Sequence, residues 1–302
     1  MEQLEKRWSE FIHYHINGDG ECNGIALRLY ADIHGLSQEE RVDLAYMFAV
    51  TYCVESAIVL LKQKEQVFRD AEGWIADNKH LLVFQSDRKY VKMKDAFNKC
   101  LLFYKNNCKA VREIGGESIL DLRVWVDRVE KWPHFGRFSA YLFLETVAHL
   151  FDCKVVNAEM EWANGATATS GLLNVYGFDE EADFFDVTRN LPSPFTERTL
   201  QDMVEPLLDD IARNGGNKNI TMVETSLCAY RKFFKGSRYN GYYLDRMLEE
   251  IYAMQANFPE ESKELFTIRR QCFDKRYLGE VGGWKGIRKE CKKLYKEQGI
   301  IM

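Results

Sequence analysis

Apolar positions recur along this chain at intervals of three and four, the period of a helix with one buried face, and hardly ever alternate as strand positions do. Ser37-Gln-Glu-Glu40 has the form of a capping box and opens a long apolar stretch, Val42 to Leu61, read as one buried helix. Glu65–Asn78 and Met93–Asn106 are further helices by the same spacing, and His80–Gln85 is a strand or an extended loop. Gly115-Gly116 is a break. Beyond it Glu117–Trp132 carries Ile119, Leu122, Val126 and Val129 at helical spacing, and Ser139–Phe151 carries Ala140, Phe143, Val147 and Leu150. Asn164–Ser170 reads as a small-residue loop and Asp179–Pro194 as an acidic, aromatic surface connection. Thr199–Arg213 is a helix stopped by Asn214-Gly-Gly216, and Thr221–Lys235, Asn240–Gln255 and Gly286–Gln298 complete the set. The pattern predicts an all-α fold over 1–302. It forms one helical unit or two lobes, about 1–115 and 116–302.

Composition changes this picture little. The chain is 46% apolar and 29% charged, the balance of an ordinary globular protein, and five prolines leave room for long helices. The net charge of −5 argues against a nucleic-acid coat, but from Lys263 onward eleven Lys/Arg face five Asp/Glu, so the tail is basic. Eight scattered cysteines with no C-x-x-C pair exclude a zinc ribbon and a closely spaced iron–sulfur set, and read as free thiols of a reducing cytoplasm. The charged N-terminus, MEQLEKRWSEF, reads as no signal peptide, and no apolar run reaches membrane-spanning length. His13-Tyr-His15 has the wrong spacing for one helix face and reads as surface, whereas His149 reads as a core or rim histidine. Metalloprotease, P-loop, Rossmann and nucleophile-elbow motifs are all missing.

The connection Trp132-Pro-His-Phe-Gly-Arg-Phe-Ser-Ala140 carries the most specific chemistry. Pro133 ends the first helix, Gly136 is expected to take a positive φ in a tight turn, and Ser139 is expected to cap the second helix. Phe135 is expected to bury inward, and Ala140 to let the two helices approach. The amides from Phe135 to Arg137 would then face outward at a helix N-terminus, where phosphate binds favourably. Phe135, Gly136, Arg137 and Ser139 are therefore the candidate DNA contacts, and Arg137 is the side chain best placed to meet a phosphate.

This segment resembles the hairpin of the helix-hairpin-helix DNA glycosylase superfamily, L-P-G-V-G-x-x-T-A, with His134 in place of the first glycine. The resemblance implies a glycosylase-like helical bundle with the hairpin at 117–151. Phe138 stands where strand-cutting glycosylases carry a Schiff-base lysine, so no lyase chemistry is implied. Further on, Glu159 and Glu161 precede Trp162-Ala-Asn164 and a small-residue stretch ending in Gly171-Leu172. Together with Leu227-Cys-Ala-Tyr-Arg-Lys232, this resembles the phage alpha-glutamyl/putrescinyl thymine pyrophosphorylases, or amino acid:DNA transferases. The likeness spans Leu120–Ile251. Where the family reads G-P-G-A-R-R, this chain reads Gly-Ala-Thr-Ala-Thr-Ser, without the arginines.

The resemblance implies a transferase that replaces pyrophosphate on the 5-methylene of a modified thymine in double-stranded DNA with an amine. The donor is an amino acid or a polyamine, a DNA base kinase acts upstream, and the setting is the host cytoplasm. No cofactor, metal or membrane is implied. Glu159 or Glu161 is the candidate base, because an amine that is mostly protonated at neutral pH needs a proton acceptor. Arg231, Lys232 and Arg238 are candidates to hold pyrophosphate, Trp162 or Tyr230 a stacking wall, and Asn164 a further substrate contact. A monofunctional base glycosylase and a non-catalytic DNA-binding module of the same fold are the alternatives.

Overall fold

A computed structural model describes residues 2–84, 94–156, 162, 166–178, 195–216, 220–235, 238 and 241–273. Among them the chain is mostly helical, as the periodicity predicts. The helices are α1 (Glu2–Tyr14), α2 (Cys22–Ile33), α3 (Gln38–Thr51), α4 (Val54–Lys62), α5 (Lys64–Arg69), α6 (Ala71–Asn78) and α7 (Lys94–Arg112). They continue with α8 (Leu122–Val129), α9 (Arg137–Phe151), α10 (Ala166–Val175), α11 (Glu197–Arg213), α12 (Ile220–Phe234), α13 (Tyr242–Met254) and α14 (Pro259–Cys272). Two short strands, β1 (Ile119–Asp121) and β2 (Lys154–Val156), pair in parallel with Leu120 opposite Val155. No helix among the described residues is long and apolar enough to cross a membrane.

The chain divides into two compact units, neither a contiguous half. One comprises Met1–Cys22, Ala158–Asp245 and Phe273–Met302; the other comprises Asn23–Asn157 and Arg246–Cys272, so residue 115 lies inside the second.

In the first unit, α1, α10, α11 and α12 share a core that includes Trp8, Phe11, Leu172, Val204, Leu227 and Tyr230. The small-residue stretch expected to be a loop is largely helix, because Ala168, Thr169, Ser170 and Gly171 are what lets α10 lie hard against α12. A Cβ on Gly171 would come within 2.1 Å of the Leu227 carbonyl oxygen. The hydroxyl of Thr169 donates to the Trp162 carbonyl at 2.8 Å and ties the segment ahead of α10 to the helix.

In the second unit α3 is the central element, with every residue from Val42 to Thr51 buried. A helix segment buried on all sides must be surrounded, and α4, α7 and α9 pack around it. The expected capping box at Ser37 and Glu40 is present. The expected single helix from Val42 to Leu61 is instead two. Tyr52 takes a left-handed conformation (φ 51°, ψ 33°), and Cys53 caps α4, its sulfur accepting the Ser56 amide at 3.5 Å. Glu65–Asn78 is likewise broken at Asp70, whose carboxylate accepts the Gly73 amide and so starts a new helix.

One buried ion cluster fixes α7 to α3. Asp43, fully buried, is held by Arg112 through two contacts of 2.7 and 2.6 Å, and Tyr104 donates its hydroxyl to the same carboxylate. Among the described residues the seven cysteines are free thiols.

Candidate nucleic-acid interface

The hairpin belongs to the second unit, and its base is a strand pair that the helical spacing concealed. Only Leu122–Val129 of the expected helix Glu117–Trp132 is helical. Ile119–Asp121 instead pairs with the strand that follows α9, so both ends of the hairpin are joined. Asp121 then caps α8, its carboxylate accepting the Val124 amide at 3.3 Å. Leu122, Trp125, Val126 and Val129 turn inward, whereas Arg123, Asp127 and Arg128 are exposed.

Trp132 to Phe135 is a four-residue turn, closed by the Phe135 amide donating to the Trp132 carbonyl at 3.0 Å. Pro133 is its second residue and His134 its third, with φ +61°. A positive φ at the third position is the mark of a type II turn, which ordinarily calls for glycine. The positive φ expected at Gly136 therefore falls on His134. Gly136 is extended (φ −82°, ψ 177°) and serves as N-cap of α9, with the Ala140 amide donating to its carbonyl at 3.0 Å. Ser139, expected to be the cap, sits in the first turn of α9 and is buried, because helix geometry begins at Arg137.

Phe135 and Ala140 are buried as expected. The Phe135 ring stacks on Tyr46 at 5.2 Å and meets Trp132 edge-on at 5.4 Å, and Trp132 in turn meets Phe143 at 5.3 Å. The Cys100 thiol donates to the Pro133 carbonyl at 3.3 Å. These contacts clamp the inner side of the turn to α3, α7 and α9. Its outer side exposes Lys131, His134, Gly136 and Phe138. A Cβ at Gly136 would meet nothing within 4 Å, so a ligand can approach its backbone from open space. Arg137 is half-buried, its guanidinium 5.1 Å above the Tyr141 ring and 3.3 Å from the Tyr141 hydroxyl. The first turn of α9 carries no acid, and four cations face two acids between Arg123 and Arg137.

The remaining candidates belong to the first unit. Glu159, Glu161 and Asn164 lie outside the described residues. Trp162 and Tyr230, expected to offer a stacking wall, are both core residues, at 1% and 0% exposure. The Trp162 amide donates to Glu197 at 3.3 Å, and Tyr230 is packed among Trp8, Phe11 and Phe233. Burial pushes the Tyr230 phenol up to about 12. Both rings belong to the core cluster that α1, α10, α11 and α12 share, which takes them out of reach of a base.

Arg231, Lys232 and Arg238 are half-buried, and all three lie in the electrostatic neighbourhood of Cys228. Burial, opposed by these cations, drives the Cys228 thiol well above its usual range. Arg238 lies 4.7 Å from both the Tyr242 and Tyr243 rings, hydrogen-bonds the Tyr243 hydroxyl, and donates its amide to the Lys232 carbonyl at 3.0 Å. The structure thus gathers the three predicted cations at one end of α12.

His15 lies by the same cluster and is a core residue, not the surface residue that its spacing suggests. A π-helical turn, His15–Asp19, rotates it into the core, where it stacks on Phe11 at 5.0 Å and is 1% exposed. Among the described residues neither ring nitrogen has a hydrogen-bond partner. Burial lowers its pKa to about 4, against the attraction of Glu21 and with the help of Arg238, so the ring is neutral. The sequence signal was Gly20, whose Cβ would collide with the His15 ring at 2.1 Å.

No family model matches the chain, and no curated protein sequence matches it.

Proposed function

We propose that the α8–α9 hairpin grips a DNA backbone in a helix-hairpin-helix, glycosylase-like fold, and that the protein is a transferase acting on a modified thymine in that DNA. The observation that carries the DNA reading is the turn itself. His134 holds a left-handed conformation normally left to glycine, Phe135 is locked inward, and Gly136 is open to approach at the N-terminus of a 15-residue helix. A helix N-terminus favours an anion through its dipole and its first-turn amides, and phosphate is the anion that DNA offers. Arg137, oriented by Tyr141, adds a cation beside it.

The transferase reading rests on the resemblance of the Trp162 and Leu227 segments, and the cluster of Arg231, Lys232 and Arg238 supports it. The reaction is a substitution at the 5-methylene carbon. Its bond to oxygen breaks with the electron pair leaving on pyrophosphate. A bond to nitrogen forms from the amine's lone pair, and the amine's surplus proton passes to Glu159 or Glu161. Clustered cations stabilise the charge that develops on the departing pyrophosphate. Extruding the base costs a few kcal/mol, which backbone contacts offset.

The test is mass spectrometry of nucleosides from pyrophosphorylated hydroxymethyluracil DNA incubated with the protein, amino acids and putrescine. An amine adduct, lost on replacing Arg231 and Lys232 by Ala, is the expected result. Release of free base would establish a glycosylase instead. Retained DNA binding with neither product would leave a binding module, a reading that the burial of Trp162 and Tyr230 favours.

A further inference from the structure

The aromatic residues first expected to receive a base are buried, yet another aromatic pair stands beside the turn. Phe138, in the first turn of α9, is 49% exposed, and Tyr52 lies against it with ring centroids 6.5 Å apart and planes at 77°. A single exposed aromatic is ordinary on any protein surface. What sets this one apart is the backbone that brings its neighbour to it.

Tyr52 interrupts what would otherwise be continuous helix from α3 into α4, and it does so in a left-handed conformation that bulky residues seldom adopt. The joint is built around that conformation. The Thr51 hydroxyl donates to the Met47 carbonyl at 2.9 Å, the Tyr52 amide to the Phe48 carbonyl at 2.6 Å, and Cys53 caps the next helix. Strain that the surrounding fold maintains is a pointer to function. Its result here is a half-buried tyrosine ring set against the exposed Phe138.

The neighbourhood selects the occupant. Phe138 follows Arg137 directly and Gly136 by two residues, so it adjoins the proposed phosphate contact. Lys131, Arg128 and Arg123 are exposed on the same hairpin, and the first turn of α9 has no acid. An apolar protein partner would gain nothing from those cations, whereas a nucleotide presents an aromatic face and a phosphate to the two halves of the surface. Aromatic side chains bind unpaired bases by stacking with little regard to sequence, since every base has a π-face.

We propose that the exposed ring of Phe138, braced by Tyr52 at near right angles, is a stacking platform for one nucleobase displaced from the duplex whose backbone the hairpin holds. The proposal rests on the DNA reading of the hairpin. It assigns the base-receiving role to the second unit and not to Trp162 or Tyr230.

The experiment uses the full chain and two labelled duplexes of one length and sequence. One is fully paired; in the other a central thymine faces an abasic site and is free to leave the stack. Binding is followed by fluorescence anisotropy at fixed salt. Phe138→Ala should weaken binding to the second duplex by about 5-fold to about 150-fold and change binding to the paired duplex less than about twofold. Phe138→Trp should restore the preference, with indole fluorescence quenched only by the duplex with the unpaired thymine. Equal weakening on both duplexes, or no change on either, overturns the platform while leaving the hairpin's grip intact. A wild-type protein that binds neither duplex removes the DNA reading, and the platform with it.

Discussion

Glu55 offers a sharp test of the second unit's energetics. Its carboxyl is fully buried at the start of α4. One oxygen accepts a hydrogen bond from the Ser262 hydroxyl, and the other has no partner among the described residues. Burial raises its pKa from 4.5 to about 8; the Ser262 bond opposes this rise, and the nearby Glu250 and Glu261 reinforce it. The folded protein therefore keeps a proton that the unfolded chain has released throughout that window. Below pH 4.5 both states hold the proton and the group costs nothing. As pH rises towards 8 stability falls, since the native state then binds more protons than the unfolded one. Each pH unit between the two pKa values costs ~1.4 kcal/mol, which makes about 3 kcal/mol at pH 7 and a plateau near 5 kcal/mol above pH 8. Glu55→Gln retains the acceptor for Ser262 and cannot ionise. Urea denaturation of both proteins at pH 5, 6, 7 and 8 should show the variant's advantage growing by about 2.5 kcal/mol between pH 5 and pH 7. Parallel stability curves would refute the reasoning, because they would mean that Glu55 ionises in the native state as easily as in the unfolded one.

Three other substitutions probe the elements that position the candidate sites. Gly171→Ala places a Cβ 2.1 Å from the Leu227 carbonyl oxygen, which is backbone and cannot rotate away. It should separate α10 from α12 and destabilise the first unit by about 3 kcal/mol in chemical denaturation. Asp43→Asn removes the charge that faces the Arg112 guanidinium at 2.6 and 2.7 Å and should cost about 3 kcal/mol, with a correspondingly lowered midpoint. His134→Gly relieves the left-handed strain at an exposed position and should raise stability by about 1 kcal/mol. A drop in the melting temperature would show that the His134 side chain contributes more than its conformation costs.

Helical periodicity, the capping box at Ser37, the stop after Arg213 and the existence of the hairpin were all legible from residues close together in the chain. Each depends on local torsion or local hydrogen bonding: a proline without an amide, a glycine pair, a serine hydroxyl three residues from its partner amide. Inward Phe135 and buried Ala140 follow the same way, since both lie within one turn of the residues that bend the chain.

The rest was decided at long range. Which residue of Pro-His-Phe-Gly bears the positive φ depends on Tyr46 of α3 and Cys100 of α7, which hold Phe135 and the Pro133 carbonyl from other elements. Helical spacing could not reveal that Ile119–Asp121 pairs with a strand more than thirty residues away. The break at Tyr52 lies inside a run that is buried on every face, polar residues such as Asp43 and Glu55 included, so hydrophobic pattern carries no phase information there. Trp162, Tyr230 and His15 carry side chains common to cores and to sites, and only the packing of the first unit's helices around Trp162 and Tyr230, and the π-helical turn at His15, placed them in the interior. Local chemistry thus settled where the chain bends and which stretches coil. Burial, and with it every side chain's availability for chemistry, is a property of the surfaces that meet, and those surfaces come from segments far apart in the chain.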